Sequence, residues 1–150
     1  MSEHLKSEYT IALDAMGGDH GPEIVILAAK ESLEMHENLR IVFFGKKEEL
    51  EDLCKKNIID QKRINIVDAQ DVVEMSDSPV DSIRNKKNSS MRIALDFVKE
   101  KKADACVSAG NTGALMATAK FVLKMLPGIN RPAIIAELPA KKKTVHMLDL

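Results

Sequence analysis

Short apolar runs alternate with longer segments of helical period along most of the sequence, and this alternation limits the possible folds more than any other feature. The first repeats are "YTIALDA" followed by "PEIVILAAKESLEMHE", and then "LRIVFFG" followed by "KKEELEDLCKKN". Strands that alternate with helices in this way are typical of α/β proteins with a mostly parallel sheet. Because "LRIVFFG" is apolar without interruption, we expect both faces of that strand to be buried.

The middle of the chain keeps this pattern but inserts a longer connection. "RINIVDA" predicts a third strand, and a connecting stretch, a short helix that opens at Pro79 and a longer helix follow it. Ser89 or Ser90 is expected to cap the longer helix, because a serine hydroxyl can accept a hydrogen bond from a free first-turn amide. The apolar side chains of that helix recur at helical spacing, at Ile93, Ala94, Phe97 and Val98.

The last third of the chain predicts one strand, one helix and two further strand candidates. "ADACVSA" is the fourth strand, and "NTGALMATAKFVLKMLPG" is a helix with charges only at Lys120 and Lys124. A helix that is apolar on almost every face is expected to be mostly buried, with one narrow stripe exposed to solvent. The strand candidates "PAIIAELPA" and "TVHMLDL" are joined by a basic turn at Lys141–Lys143, which is more typical of a hairpin turn than of a binding site.

The length of 150 residues allows one buried core, so a single domain is expected. We expect residues 1–9 to form a polar N-terminal tail and residues 10–150 to form one α/β unit. The last strand candidate stops at Leu150, although a parallel strand normally leads into a crossover. We therefore expect this sequence to be the N-terminal part of a longer domain whose sheet it leaves incomplete.

Charge and composition exclude several classes of partner. The formal net charge is -1, which favours neither nucleic acid nor an anionic membrane surface as a partner. Aromatic residues make up 3% of the chain, which argues against platforms for stacked bases. The polar start lacks an apolar leader and no segment approaches the length of a membrane span, so a cytoplasmic protein is expected.

Metal binding and covalent catalysis have little support in the sequence. Cys54 and Cys106 are far apart and are expected to be free thiols. The four histidines never occur at the i, i+4 spacing of two ligands on one helix face, so we predict no metal site. No Ser-His-Asp or Cys-His arrangement is visible, and Cys106 lies in an apolar strand, where cysteine is usually a small buried hydrophobe.

The segment "SAGNTGALMA" is the strongest candidate for a binding site, because it lies where a strand ends and a helix begins. Ligands of open α/β sheets bind beyond the carboxyl ends of the strands, where helix N-termini offer free amides to anions. Gly110 and Gly113 leave room for a phosphate, and Ser108, Asn111 and Thr112 add small polar groups. A second interpretation is that Asn111 only caps the helix and the small residues only permit close packing. The pattern alone leaves both interpretations open.

The segment "DAMGGDHGPE" follows the first strand, so in a parallel sheet it opens on the same edge as "SAGNTG". We expect the two loops to converge on one crevice. Gly17 and Gly18 allow a positive φ or a close backbone approach. The spacing matches neither a dinucleotide fingerprint nor a P-loop. Asp14, Asp19 and His20 could hold a cation, but we weight polar contact with a ligand above metal binding.

The segment "SDSPVDSIRNKKNSS" places basic residues near two expected helix starts. A run of lysines such as Lys86 and Lys87 is usually a solvated face. The functional interpretation is a landing patch for an acidic partner or a phosphorylated group. Arg84 is the best candidate for direct phosphate contact, because its planar guanidinium can form bidentate hydrogen bonds.

Five motifs occur in a fixed order along the chain from Thr10 onward: "IALDAMGGDHGP", "MSDSP", "KKNSSMRIAL", "VSAGNTGALMA" and "LPGINRPA". In order and spacing they closely resemble the N-terminal half of the PlsX family, the bacterial acyl-ACP:phosphate acyltransferases of phospholipid synthesis. Five ordered motifs are much more specific than any one of them. The resemblance implies a Rossmann-like three-layer α/β/α fold, similar to that of the isocitrate and isopropylmalate dehydrogenases and the phosphotransacetylases.

The resemblance also implies a reaction, in which inorganic phosphate attacks the thioester of a fatty acyl group on acyl carrier protein. It implies a homodimer, no metal or nicotinamide cofactor, and peripheral membrane association through a second half that this sequence lacks. Asp19, His20 and Asn111 would be the catalytic candidates. The phosphate and substrate pocket would be lined by Asp14, Gly17, Gly18, Ser108, Gly110, Asn111, Thr112, Gly113 and Arg84.

The sequence is also compatible with two other functions. One is an enzyme of the same fold that uses coenzyme A, such as a phosphate acetyl- or butyryltransferase, or a related dehydrogenase. That function needs a pocket for a nucleotide base, which the sequence does not reveal. The other is a noncatalytic α/β fragment that binds phosphate or a partner without turnover.

Overall fold

The computed structural model describes residues 8–141 and 143–148. Predictions that concern residues 1–7, Lys142 or residues 149–150 lie outside the described residues. The elements in chain order are β1 (Tyr9–Asp14), α1 (Pro22–Met35), β2 (Leu39–Gly45), α2 (Lys47–Lys56), β3 (Ile64–Asp68), α3 (Pro79–Asn85), α4 (Ser90–Lys99), β4 (Ala105–Ser108), α5 (Thr112–Leu123), β5 (Ile135–Leu138) and β6 (Val145–Leu148). Tyr9, which the sequence assigned to the polar tail, is the first residue of β1.

Four strands form a parallel sheet in the order β3-β2-β1-β4, so the predicted α/β class with a mostly parallel sheet is confirmed. The first strand lies inside this sheet, with β2 on one side and β4 on the other. All four strands run the same way, so their carboxyl ends meet at one edge. That edge carries both of the loops that the sequence singled out.

The core lies on both faces of the sheet, and β2 shows why its apolar run is continuous. Ile41 and Phe43 pack toward α1 and α2 on one face, in a cluster that includes Ile26 and Leu50. Val42 and Phe44 pack toward α4 on the other face, against Ala94 and its neighbours. Because successive side chains of a strand point to opposite faces, a strand that is covered on both faces needs apolar residues at every position.

Serine and asparagine side chains fix the starts of three helices. Ser89 caps α4 by accepting a hydrogen bond from the Arg92 amide, which settles the choice between Ser89 and Ser90. Ser78 caps α3, where Pro79 follows it in the first turn as predicted. Each cap satisfies an amide that has no partner within its own helix.

The prediction that the last helix is mostly buried is wrong. Only Ala114, Thr118 and Val122 of α5 are buried, in one stripe against α3 and α4, and the helix ends before Lys124, which has a φ of 68°. Phe121 on the same helix is 50% exposed. Apolar composition indicates what a helix tends to bury, but the described residues supply α5 with neighbours on one side only.

The two strand candidates near the end of the sequence form a separate antiparallel pair, β5 with β6. Both strands are therefore confirmed as strands, but neither extends the parallel sheet. Every residue of β6 is exposed, as are three of the four residues of β5. Of the basic turn between them, Lys142 lies outside the described residues.

Candidate functional site

The candidate site lies where β1 and β4 end side by side. Asp14 is the last residue of β1, Ser108 is the last residue of β4, and the two are direct partners in the parallel register. The loop of residues 15–21 leads from β1 to α1, and the loop of residues 109–111 leads from β4 to α5. We call them the β1–α1 loop and the β4–α5 loop. The predicted convergence of the two glycine-containing loops is confirmed.

Side-chain hydrogen bonds join the two strand ends. The Ser108 hydroxyl donates to Asp14 Oδ2 over 2.7 Å, and Ser108 Oγ accepts from the Gly110 amide over 3.1 Å. Asp14 Oδ1 accepts from the Met16 amide over 3.2 Å. Asp14 is only 1% exposed, although the sequence suggested that it contacts ligand directly. The carboxylate therefore lies beneath the crevice and binds the protein's own groups.

Glycine at position 17 permits the close approach of the two loops. A Cβ atom on Gly17 would lie 2.9 Å from the Gly110 nitrogen and 2.9 Å from Asp14 Oδ2, which is shorter than real contacts allow. The next residue, Gly18, has a φ of 99°, a conformation that other residues rarely adopt. Each of the two predicted uses of these glycines, close approach and positive φ, is thus seen at one of them.

Asn111 caps α5 and also holds a distant segment of the chain. Its Oδ1 atom accepts from the Ala114 amide over 2.9 Å, so the capping interpretation is confirmed. Its Nδ2 atom donates to the carbonyl oxygens of Met75 and Asp77, both over 3.0 Å. No sequence pattern signals these last bonds, which link residues 34 and 36 positions apart. A catalytic role for Asn111 stays a prediction.

Free hydrogen-bond donors remain at the start of α5. Thr112 and Gly113 are its first two residues, and amides at these positions have no acceptor within a helix. Thr112 is exposed, so solvent reaches this residue at the start of the helix. The partial positive charge of a helix N-terminus adds to the attraction for an anion. This helix start can bind one or more oxygens of a phosphate group.

Asp19 and His20 lie on the exposed side of the β1–α1 loop. In the described part of the chain, neither side chain has a hydrogen-bond or ion-pair partner, so both are available to a ligand. Gly21 precedes α1 with a φ of 72° and provides no side-chain cap. The fold thus leaves the two side chains unconstrained on the exposed surface of the β1–α1 loop. Their catalytic roles stay predictions.

In the basic segment near α3, one lysine is hydrogen-bonded within the protein and the other basic residues are exposed. Lys86 donates to the carboxylate of Asp77 and to the carbonyl of Val72, so it serves the fold rather than a landing patch. The hydrogen bond from Lys86, followed by one from a backbone amide, holds the pKa of Asp77 below its usual value. Arg84 and Lys87 are exposed, and the structure shows no contact that brings Arg84 to the two loops.

The cysteine nearest the site is unsuited to act as a nucleophile. Burial, followed by the negative charge of Asp14, raises the pKa of Cys106 to about 12. A thiol with such a pKa holds its proton at neutral pH and reacts slowly. The prediction that Cys106 is a free thiol is confirmed, and its side chain is half-buried rather than fully buried. Burial likewise raises the pKa of Cys54, to about 11.

An apolar groove of about 340 Å³ runs between α1 and the sheet beside the crevice. Ile11 and Leu13 of β1, Ala28 of α1 and other apolar side chains line it, together with Asp14 and Ala109 at the strand ends. The groove is therefore suited to hydrocarbon and adjoins the same loops that offer donors to an anion. Sequence reasoning missed it, because its walls come from segments that are each individually typical of a core.

The described residues hold neither a grouped set of metal ligands nor a helix that could span a membrane. Within residues 8–141 and 143–148, no three His, Cys, Asp or Glu side chains are grouped as ligands of a metal ion. Across the same ranges, none of the helices has the length and apolar character needed to cross a membrane.

The sequence of the chain matches a family of known proteins and several curated relatives. The profile of a family described as "Fatty acid synthesis protein" matches residues 9–150. A phosphate acyltransferase of Methylococcus capsulatus is 57% identical over 144 residues, which cover 94% of this chain and 42% of that protein. A phosphate acyltransferase of Halorhodospira halophila is 51% identical over 147 residues, covering 97% and 43%. The chain therefore spans less than half the length of these relatives.

A solved structure with a similar fold is the EutD phosphotransacetylase from Staphylococcus aureus. It aligns with a TM-score of 0.59 and 18% sequence identity, over 93% of this chain and 45% of that one. At this level of identity the likeness concerns the fold alone. It agrees with the fold group that the sequence motifs implied.

Proposed function

This chain belongs to the family described as fatty acid synthesis proteins, and from that membership we propose that it serves phosphate acyltransfer in bacterial phospholipid synthesis. The reaction transfers a fatty acyl group from acyl carrier protein to inorganic phosphate and yields acyl phosphate and the free carrier. The curated relatives named above are called phosphate acyltransferases. Because the chain spans only part of their length, the activity, the substrates and the partners are proposals for this chain.

The observation that carries the proposal is the pairing of the β1 and β4 ends beside the open start of α5. Asp14 and Ser108 hold the strand ends together, and the amides of Thr112 and Gly113 have no acceptor within their helix. Such a helix start favours a doubly charged oxyanion over a neutral ligand. The two loops contain no dinucleotide fingerprint, which favours inorganic phosphate over a nucleotide.

The chemistry requires positioning more than a protein nucleophile. A phosphate oxygen attacks the thioester carbonyl carbon, a tetrahedral oxyanion forms, and the carbon–sulfur bond then breaks so that the carrier leaves as a thiolate. Amides that hold the phosphate in place supply the proximity that this attack needs. Donors directed at the developing oxyanion lower the barrier further, and one such donor contributes roughly 10²-fold or more in rate.

The remaining site residues take supporting roles in the proposal. Asp19 and His20 are exposed at the mouth of the crevice and can exchange protons with the reacting groups. Gly17 and Gly110 allow the close approach of the loops. Arg84 could bind only an acyl carrier or a phosphorylated group that extends to α3, because no contact brings its side chain to the crevice. The apolar groove beside Asp14 and Ala109 suits the acyl chain.

The proposal includes a setting for the protein. We expect a cytoplasmic homodimer that binds acyl carrier protein and reaches the membrane surface through regions beyond those of this chain. The net charge of -1 gives no field strong enough to bind an anionic membrane by itself.

A second candidate function rests on the structural likeness to a phosphotransacetylase. An enzyme of that type uses coenzyme A as the acyl carrier and needs a pocket for its adenine. Aromatic residues are scarce in this chain, at 3%, and the described loops form no such pocket that we recognise. We therefore place this function second, and a noncatalytic phosphate-binding fragment third.

The test is an assay for phosphate-dependent formation of acyl phosphate. The 150-residue chain is incubated with long-chain acyl-ACP or acyl-CoA at increasing phosphate concentrations, and acyl phosphate is trapped as its hydroxamate. The proposal expects product from acyl-ACP that saturates with phosphate. Product from acyl-CoA alone would contradict it and support the second function. Saturable phosphate binding without product from either donor would support the noncatalytic fragment.

A further inference from the structure

Asp14 is the one charged side chain that is buried among the described residues, and its surroundings suggest a role different from ligand binding. It is 1% exposed, and no cation pairs with it within the described ranges. A buried carboxylate without hydrogen bonds is strongly unfavourable, so its partners must satisfy it. Those partners are the Ser108 hydroxyl on Oδ2 and the Met16 amide on Oδ1.

The direction of each bond follows from the chemistry of the groups. A carboxylate only accepts hydrogen bonds, and a backbone amide only donates. The single proton of the Ser108 hydroxyl is therefore directed at Asp14, and a lone pair of Ser108 Oγ faces the Gly110 amide. With its proton in use, Ser108 has no donor left for a phosphate. The Gly110 amide is in turn occupied by Ser108.

We propose that Asp14 is a positioning residue, which acts through Ser108 to hold the Gly110 amide and so fixes the β4–α5 loop in its anion-binding form. Neither Asp14 nor Ser108 contacts the phosphate, whose donors are the amides of Thr112 and Gly113. This role rests on the proposed function, because it assumes that phosphate binds at the start of α5. In this role, Asp14 and Ser108 support the loop through a chain of hydrogen bonds and make no direct contact with the ligand.

A carboxylate is required at position 14, because an amide cannot accept on both of its ends. In Asp14→Asn, the NH₂ group faces either the Met16 amide or the Ser108 hydroxyl. If it faces Met16, two donors oppose each other. If it faces Ser108, the serine hydroxyl loses its acceptor. Its lone pair is then no longer held toward the Gly110 amide. The variant has nearly the shape of the native side chain, so packing is little changed.

The test combines a double-mutant cycle with hydrogen exchange on the 150-residue chain. Asp14→Asn, Ser108→Ala and the double variant are titrated with inorganic phosphate, well below the melting temperature of each protein. The exchange rate of the Gly110 amide is measured by NMR without phosphate. Ser108→Thr retains the hydroxyl and serves as the conservative variant, and Ser89→Ala removes a buried serine that caps α4 and makes no hydrogen bond to Asp14, Ser108 or Gly110.

The proposal expects each single variant to weaken phosphate binding about 10-fold, as for a polar group that loses its buried partner. The double variant should be no weaker than the single ones, because both changes break one chain of bonds. Gly110 exchange should accelerate in both single variants. Ser108→Thr should restore phosphate binding to within about 3-fold, and Ser89→Ala should leave both readouts near the wild-type values.

Three results would overturn the positioning role. Additive losses, with the double variant about 100-fold weaker, would mean that Asp14 and Ser108 act separately on the ligand. Unchanged Gly110 exchange in Asp14→Asn would mean that the carboxylate does not hold the loop. A wild-type chain that protects Gly110 but binds no phosphate would refute phosphate binding at this site and leave only a structural contact. The last result contradicts the proposed function as well, whereas the first two leave it intact.

Discussion

The two walls of the crevice are built in different ways. At the end of β4 and in the β4–α5 loop, Ser108, Gly110 and Asn111 all use their polar groups on the protein itself. In the β1–α1 loop, Asp19 and His20 are exposed and have no partner in the described part of the chain. One wall is therefore held by internal hydrogen bonds and offers backbone amides, while the other offers free side chains.

This difference shows that the candidate site combines fixed backbone amides with free side chains. Anion binding by backbone amides requires a loop with a fixed shape, since the amides must point to one place before the ligand arrives. Proton exchange requires side chains that solvent and substrate can reach. We therefore expect substitutions in the β4–α5 wall to affect stability and binding together, and substitutions of Asp19 or His20 to leave stability unchanged.

The largest loss of stability is expected for a substitution at the point where the two walls touch. Gly17→Ala places a Cβ 2.9 Å from the backbone nitrogen of Gly110, which cannot move away as a flexible side chain could. We expect a loss of about 3 kcal/mol in the free energy of unfolding, at the upper end of the range for overpacking. Chemical denaturation measures it, together with phosphate titration.

Gly113→Ala is the matched control for that variant. Its Cβ would meet Pro79 Cγ at 3.4 Å, an ordinary contact, and the backbone amide is retained. Because alanine is the better helix former, the free energy of unfolding should stay the same or rise by up to about 1 kcal/mol. A Gly17→Ala protein as stable as Gly113→Ala would contradict the close approach of the walls.

The next effect concerns the cap of α5. Asn111→Ala removes the acceptor for the Ala114 amide and the donor to the carbonyls of Met75 and Asp77. We expect a loss of about 2 kcal/mol, compared with about 1 kcal/mol for Ser89→Ala, whose cap holds no such distant segment. Thermal and urea unfolding of the two variants gives the comparison. Equal losses would show that the Nδ2 bonds add nothing.

The smallest effect on stability is expected in the exposed wall. Asp19→Asn and His20→Ala remove no contact within the described residues, so the free energy of unfolding should change by less than about 0.5 kcal/mol. If the two groups handle protons, acyl phosphate formation should fall while phosphate affinity is retained. A loss of stability similar to that of Asn111→Ala would contradict the division between the walls.

The sequence predicts which two loops form this site but not the hydrogen bonds within it. Parallel strands bring their carboxyl ends to one edge, so the convergence of "DAMGGDHGPE" and "SAGNTG" followed from the order of elements alone. The bond from Ser108 to Asp14 joins residues 94 positions apart, and the bonds of Asn111 reach residues 75 and 77. No local pattern encodes such pairs, so the sequence placed Asp14 and Ser108 among the ligand contacts without revealing their bond to each other.

The error about α5 has a similar origin. The apolar composition of α5 predicted burial, but burial depends on which neighbours are present, and only one stripe around Ala114, Thr118 and Val122 has them among the described residues. The antiparallel pairing of β5 with β6, in contrast, agrees with the hairpin turn that the sequence indicates between the two strands. Periodicity identified the elements, whereas their partners required the structure.

The most direct test of the central claim, that the start of α5 binds phosphate through its backbone, uses two variants of Thr112. Thr112→Pro removes the amide at the first helical position, where proline is well tolerated, and Asn111 before it already has an extended ψ of 108°. Thr112→Ala removes only the hydroxyl and retains the amide. Inorganic phosphate is titrated into the wild-type chain and both variants by calorimetry.

We predict that Thr112→Pro weakens phosphate binding by about 10-fold or more, because a hydrogen bond to a charged group is lost. Thr112→Ala should show a clearly smaller loss, and circular dichroism should report the same helix content for all three proteins. Equal dissociation constants for the wild type and Thr112→Pro would contradict the claim that the α5 amides hold the phosphate.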